Sequence, residues 1–310
     1  MPSPETVAAI VVTYHPDENF SWRLDALLAQ VTRVVIVDNG PDESCLSPLQ
    51  PYLADDGRVT IHRNKANLGI ATALNQGFEI LMAERYGWVL TLDQDSSPAG
   101  GMVAALCDRL RADPDSSSVA MVGASRRDPV DSNAEHWWVR PKSGFPFFER
   151  VACEGLDDSG TTLVITSGTL TNTAVFDEIG PFRDELFIDL VDIEYSLRAR
   201  RAGYRIIGAC GAHLVHRIGA TRVRRVLGIP VVVTNHAPMR RYYIFRNSII
   251  VAREYFKVHP HWLIYHCLAL GQVLLGVILF ERRKIANLRA CVLGVYDGIR
   301  RRLGAARHEF

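Results

Sequence analysis

Two carboxylates stand one residue apart in Asp93-Gln94-Asp95-Ser96, which closes the apolar run Gly87-Trp88-Val89-Leu90-Thr91-Leu92. A divalent cation prefers oxygen ligands and is often held by one or two carboxylates together with phosphate oxygens, so acids where a strand opens into a loop suit Mg2+ or Mn2+ against a diphosphate. The same string also fits a solvated turn whose Asp and Ser cap the next helix. A second acidic group lies in Asp189-Leu190-Val191-Asp192-Ile193-Glu194. Asp189 and Asp192 are three apart, so on a helical first turn both can face one cleft, where a carboxylate can take a proton from a hydroxyl as general base. The competing role is structural: these acids favour the positive end of a helix and can pair with Arg198, Arg200 or Arg201.

Three further groups carry potential chemistry. His213 and His216 follow a strand pattern, and imidazole can complete a metal site begun by a distant carboxylate, although a histidine near a strand end is more often structural. Asn67-Leu68-Gly69 opens a helix with residues that allow backbone to approach a nucleotide, or simply cap and pack. Arg240-Arg241-Tyr242-Tyr243-Ile244-Phe245-Arg246-Asn247 sets three guanidiniums among aromatic rings. Arginine forks suit a diphosphate or phospholipid headgroup and tyrosines can stack on a sugar; a basic, solvated helix face is the plain alternative. No GxxxxGK[ST] phosphate loop occurs.

These residues need elements to position them. Over the first two-thirds of the chain, apolar β-branched runs alternate with helical patterns, which predicts a mostly parallel α/β sheet. Val7–Tyr14, Arg33–Asp38, Val59–Arg63 and Gly87–Asp93 read as strands, with helices at Phe20–Gln30, Ile70–Ala83 and Gly101–Ala112. Ligands of such sheets bind beyond the carboxyl ends of the strands, where His15, Asp38, Asn39, Asp93 and Asp95 all fall. Asp128 to Asp158 reads as a long loop, rich in Trp and Phe, with one hairpin beside the substrate. Thr161–Thr166 reads as a strand, Thr173–Ile179 as a short helix, Leu190–Ala202 as a helix and Tyr204–Ala209 as a strand; helices take over after about residue 236.

With 310 residues, 48% of them apolar, the chain can bury a sizeable core. Its six cysteines lie far apart without a CxxC pair, so spacing suggests neither a zinc site nor a disulfide scaffold, and a reducing cytosol fits. The net charge of +1 conceals a division: residues 236–310 hold 13 Lys/Arg against 4 Asp/Glu, leaving residues 1–235 acidic. An acidic body with a basic tail argues against a broad nucleic-acid surface and suggests that the tail lies on anionic lipid. Trp262–Phe280 has no charged residue and is long enough to span a membrane. The basic residues beyond it would resist translocation, so it reads as a buried, dimerising or interfacial helix.

In chain order, Val11-Val12-Thr13-Tyr14-His15-Pro16, Val37-Asp38-Asn39, Asn67-Leu68-Gly69 with Asn75-Gln76-Gly77, Asp93-Gln94-Asp95-Ser96, Thr166-Ser167-Gly168, Val191-Asp192-Ile193-Glu194, His216-Arg217-Ile218-Gly219 and Arg240-Arg241-Tyr242-Tyr243 through Arg246-Asn247 resemble a family 2 glycosyltransferase. Within that family the chain is similar to bacterial dTDP-rhamnosyltransferases of surface-polysaccharide and O-antigen synthesis. The resemblance implies a GT-A fold, a Rossmann-like, mostly parallel sheet flanked by helices, with residues 1–235 catalytic and residues 236–310 a helical extension for membrane contact or oligomerisation. It implies that Thr13, Tyr14, Asp38, Asn67 and Asp93 bind the nucleotide, that Asp95 and His216 hold the divalent cation, and that Asp192 is the base. Ser167, Gly168, Arg240, Arg241 and Tyr242 would meet the diphosphate or a lipid-linked glycan acceptor. Many relatives have an acidic pair where this chain has Val191-Asp192, which leaves Asp192 the matching base and Asp189 the fallback. The expected protein is an inverting, metal-dependent rhamnosyltransferase, homo-oligomeric and peripheral on the cytosolic membrane face. The alternatives are a UDP-sugar donor, with galactose or N-acetylglucosamine, and a catalytically silent membrane scaffold.

Overall fold

The computed structural model describes residues 1–52, 57–127, 138–141, 148–153, 161–216, 222–226 and 229–310. Its centre is an eight-stranded sheet built from β1 (Val7–Thr13), β2 (Arg33–Asp38), β3 (Val59–Arg63), β4 (Trp88–Asp93), β5 (Ser96–Pro98), β6 (Val119–Arg127), β9 (Thr169–Asn172) and β10 (Arg205–His216). Two hairpins stand outside it, β7 (Trp138–Pro141) with β8 (Phe148–Val151), and β11 (Arg222–Val226) with β12 (Ile229–Val233). The sheet order is β3-β2-β1-β4-β9-β6-β10-β5. β1, β2, β3 and β4 pair in parallel, as do β6 and β10, whereas β9 runs antiparallel between β4 and β6. The chain winds from β1 outward to β3 and then returns to lay β4 on the other side of β1, so the order reverses between β1 and β4. A crevice opens at such a reversal, beyond the strand carboxyl ends.

Val34-Val35-Ile36-Val37 is buried on both faces, as a strand covered by helices on either side must be. The covering helices are α1 (Phe20–Leu28), α2 (Ile70–Ala83), α3 (Met102–Arg111), α4 (Thr173–Ile179) and α5 (Val191–Arg201). One core layer joins α1 and α3 to the sheet; the other sets α2, α4 and α5 around a cluster of Phe78, Phe176 and Phe182. Thr161–Thr166, expected as a strand, is irregular, because its backbone bonds to β7 and β10 are isolated: Thr162 N donates to Val139 O and Thr161 N to Ile206 O. The ladder begins only at Thr169.

Three C-terminal helices follow, α6 (Pro238–Tyr255), α7 (Pro260–Phe280) and α8 (Lys284–Ile299). α6 and α8 pack closely enough that a side chain at Gly294 would collide with the Tyr242 carbonyl. Of the three expectations for α7, buried, dimerising or interfacial, burial is corrected. Its most apolar 18-residue window has a mean hydropathy of 2.1 but is only 17% buried, and Leu268, Leu275, Ile278, Leu279 and Phe280 face outward. Cysteine spacing also misled: Cys153 and Cys210, 57 residues apart in sequence, are joined by a disulfide with Cα atoms 5.7 Å apart. β8 and β10 bring them together, which spacing alone does not reveal, and the inference of a reducing compartment loses its support.

Candidate active site

At the reversal between β1 and β4 lies a cleft of about 550 Å³. Thr13 and Tyr14 from the end of β1, Asn39 after β2, Asn67 and Gly69 before α2, and Asp93-Gln94-Asp95 after β4 form one side. Hydrogen bonds fix the acidic turn. Gln94 Oε1 accepts from Tyr14 N at 2.7 Å while its Nε2 donates to Tyr14 O at 3.0 Å, so the residue between the two acids ties the β4 loop to the β1 loop. Arg23 Nε donates to Gln94 O at 2.8 Å. Asp93 N donates to Ser167 Oγ at 3.1 Å, and Ser167 bonds in turn to Ser96 Oγ at 2.6 Å. Asp93 is half-buried beneath the cleft, whereas Asp95 is exposed to it.

The opposite side is Phe187–Ile193, a loop that runs into α5. Phe187, Asp189 and Leu190 all have φ between 61° and 66°, a left-handed conformation that is costly for residues with a Cβ and persists only where surroundings impose it. The surroundings are α6 and α2. Asn247 Nδ2 donates to the carbonyls of Leu186, Ile188 and Asp189 at 2.8–2.9 Å, and Arg246, fully buried, donates to those of Glu185 and Leu186. Tyr243 stacks on Phe187 with ring centroids 5.0 Å apart. From the other direction Ile70 N donates to Phe187 O at 2.7 Å, an approach so close that a Cβ at Gly69 would lie 2.6 Å from that oxygen.

The imposed loop aims Asp189 and Asp192 into the cleft. Asp189 is gripped by Arg240, whose Nε lies 3.1 and 3.3 Å from the two carboxylate oxygens. Asp192 Oδ1 accepts from Ile193 N at 2.8 Å and Oδ2 from Thr166 N at 3.3 Å. Loss of hydration raises the pKa of Asp192, and the two backbone N–H groups oppose the rise only in part. A carboxylate made more basic in this way suits proton abstraction. Asp93 is pushed up to about 7 by loss of hydration and by the neighbouring charges of Asp95 and Asp192, with Arg240 acting against them. Among the described residues no three of His, Cys, Asp and Glu are grouped to hold an ion by themselves. Asp93 and Asp95 nevertheless give oxygen donors of the kind Mg2+ or Mn2+ takes when phosphates complete its shell, so the residues fit.

Several expected site residues take other places. Asp38 is fully buried behind the cleft, accepting from Thr13 Oγ1 at 2.9 Å and Gly40 N at 3.1 Å, and the cleft wall in front of it is Thr13 and Asn39. Arg241 and Tyr242 are core residues: Arg241 pairs with the equally buried Glu281, and the Tyr242 hydroxyl donates to Asp297 at 2.9 Å. An acceptor cannot reach them. Ser167 buttresses the acidic turn and also lines a second cavity beside the cleft, and Gly168 packs against Leu214. His216 pairs its backbone with Ser96, next to Asp95; its side chain lies outside the described residues, as do Arg217, Ile218, Gly219, Trp137, Phe145 and Phe147. Glu194 parts from Asp192: it is buried against Arg198 and the Tyr255 hydroxyl. Gln94, Arg126 and Phe187 line the cleft without a sequence signal except, for Gln94, its position between the acids.

Residues 8–180 match the family Glycosyl transferase family 2. The chain is 28% identical over 314 residues to the dTDP-rhamnosyl transferase RfbF of Shigella flexneri, covering 98% of each. Among solved structures it superposes on GalNAc-T7 with UDP, GalNAc and Mn2+ with a TM-score of 0.60 at 13% identity, over 84% of this chain and 49% of that one. With residues 1–349 of S. aureus TarS in complex with UDP-GlcNAc the TM-score is 0.52 at 16% identity, over 95% of this chain and 80% of that one. Likeness at such identities shows the GT-A fold alone.

Proposed function

This chain belongs to glycosyl transferase family 2, and on that premise we propose that it moves L-rhamnose from dTDP-rhamnose, with inversion and with a divalent cation, to a lipid-linked glycan acceptor. The observation that carries the chemistry is the cleft in which Asp192 faces Asp93 and Asp95. The rhamnose and dTDP assignments draw their support from the full-length relative. Thr13, Tyr14, Asn39 and Asn67 hold the nucleotide, with Asp38 fixing Thr13 from behind; Asp93 takes the ribose and Asp95 the cation, joined by His216. A divalent cation bound there would supply positive charge to the diphosphate oxygens as they gather negative charge.

Asp192 accepts the proton of the acceptor hydroxyl as that oxygen attacks the anomeric carbon. The bond from that carbon to the diphosphate oxygen breaks and leaves its electron pair on dTDP. A single displacement of this kind inverts the anomeric centre. Arg240, held by Asp189 at the rim, stabilises the departing diphosphate as a fixed positive charge. Thermal-shift titration with dTDP, UDP and GDP in the presence of Mn2+ tests the donor. dTDP should stabilise the protein most, and a preference for UDP would contradict the rhamnose assignment.

We assign residues 1–235 to the nucleotide-sugar site and residues 236–310 to membrane contact, with α6 serving both. α7 is long and apolar enough to cross a bilayer, but Arg282-Arg283-Lys284 and Arg300-Arg301-Arg302 flank or follow the outward apolar residues. That mixture favours a helix pair lying in the headgroup region of an anionic, cytosol-facing leaflet. A homo-oligomer closing over the same face is the competing occupant.

A further inference from the structure

A second cavity, of about 370 Å³, opens beside the first. Arg126, Ile165 and Ile193 line both, so the two spaces are separated by little more than these side chains. Asp192 stands next to Ile193 and lines the first cavity, at the edge of that shared wall. The far wall comes from different elements: Trp138 on β7, Arg150 on β8 and Tyr265 on α7. Phe148 joins these elements, its ring 5.6 Å from that of Tyr265 and 6.4 Å from that of His261.

The chemistry of this lining is selective. Its described residues include two arginines and no Asp or Glu, so the cavity favours an anion, and guanidinium forks match phosphate. Tyr265 adds a flat apolar surface of the kind that stacks on a sugar ring, whereas Trp138, only 3% exposed, belongs to the core behind the wall; the volume lies in the range of ligand sites. Tyr265 belongs to the helix whose outward face carries Leu268, Leu275 and Ile278, so an apolar chain attached to the phosphate has a surface to follow out of the cavity.

We propose that this cavity is the acceptor subsite: it holds a sugar linked to a lipid phosphate, with Arg126 and Arg150 on the phosphate and the sugar against Tyr265, and it delivers a hydroxyl to Asp192 past Ile193. The inference rests on the assignment of Asp192 as base. In the transfer, the hydroxyl proton goes to Asp192, the hydroxyl oxygen bonds to the anomeric carbon, and the electron pair of the broken bond leaves with the nucleoside diphosphate.

Binding of farnesyl-diphosphate-linked N-acetylglucosamine to the full chain, in the presence of dTDP and Mn2+, is the test. Arg150→Ala and Tyr265→Ala should each weaken binding about tenfold or more, the scale of losing a charged hydrogen-bond donor or a stacking face. Tyr265→Phe, which keeps the ring, should restore it, while the thermal shift produced by dTDP stays that of the wild type in all three. Wild-type affinity in both alanine variants, or no binding of the probe to the wild type, overturns the acceptor subsite. Equal affinity for farnesyl diphosphate without the sugar overturns the stacking role of Tyr265. Failure of the wild type to bind dTDP at all would instead overturn the nucleotide-sugar assignment of the first cavity.

Discussion

In the metal-free protein Asp93 holds its proton to about pH 7, because it loses hydration next to Asp95 and Asp192. The folded pKa is raised above the ordinary carboxylate value. The contribution of Asp93 to stability is therefore greatest at low pH and is lost as pH rises from about 4 to about 7. Thermal melts should show this loss without metal, and Asp93→Asn should flatten it. Mn2+ should raise the melting temperature more at pH 7.5 than at pH 5, since a cation on Asp95 offsets the repulsion that the proton on Asp93 relieves at low pH; equal shifts at both would contradict a cation at Asp95. Asp93, Asp95 and Asp192 were legible in the sequence because type, spacing and chain order suffice to mark acids that open a loop or a helix. The burial of Asp38, Arg241 and Tyr242 was not legible. A motif residue next to a site reads the same whether it touches substrate or supports a neighbour that does, and only the packing of Thr13 on Asp38, or of Glu281 on Arg241, separates the two.

At the scale of elements, the feature that shapes the site is the left-handed loop at Phe187–Leu190 and its attachment to α6. Asn247→Ala would remove the side-chain donor from the Ile188 and Asp189 carbonyls and leave that of Leu186 to Arg246 alone, which should cost about 1–3 kcal/mol by chemical denaturation. It should also lower kcat more than it changes dTDP affinity, because the loop aims Asp192 while the residues proposed to hold the nucleotide lie on the facing side. An unchanged kcat in a folded Asn247→Ala protein would separate the loop from catalysis. The C-terminal end shares this attachment: Gly304 N donates to Glu185 O, Arg246 donates to Gly304 O, and Ala306 N donates to the Tyr243 hydroxyl. Most of these elements were readable. Arg33–Asp38, Val59–Arg63, Ile70–Ala83 and Thr173–Ile179 have the bounds that periodicity gives them, because their apolar faces meet one or the other of the two core layers. Thr161–Thr166 was misread because β-branched residues favour extended chain without providing a partner strand. The clamp itself had no periodic signature, since it depends on which carbonyls a folded loop turns toward α6.

The whole molecule combines an acidic body, residues 1–235, with a basic, apolar end. On α8, Ile285, Val292 and Ile299 recur every seventh residue and are 85%, 67% and 58% exposed, with Arg289 and Tyr296 between them on the same stripe. Flotation with vesicles containing anionic phospholipid should carry the protein upward, and high salt or replacement of that lipid by a zwitterionic one should release it. Ile285→Asp combined with Val292→Asp should weaken flotation while leaving thermal stability near wild type, because neither side chain is in the core. A doubled mass in solution with no flotation would assign the face to a second copy instead. The charge division made this end legible in sequence, whereas its exposure was not, because an apolar run has the same composition inside a core or on a membrane.

The decisive experiment follows release of dTDP from dTDP-L-rhamnose by the full chain, with and without Mn2+, in the wild type, Asp95→Ala and Asp192→Asn. Release should require Mn2+, vanish in Asp95→Ala, and fall by about 10²–10⁴-fold in Asp192→Asn while dTDP still binds that variant. Equal rates in all three proteins, or release indifferent to Mn2+, would contradict the chemistry assigned to the cleft.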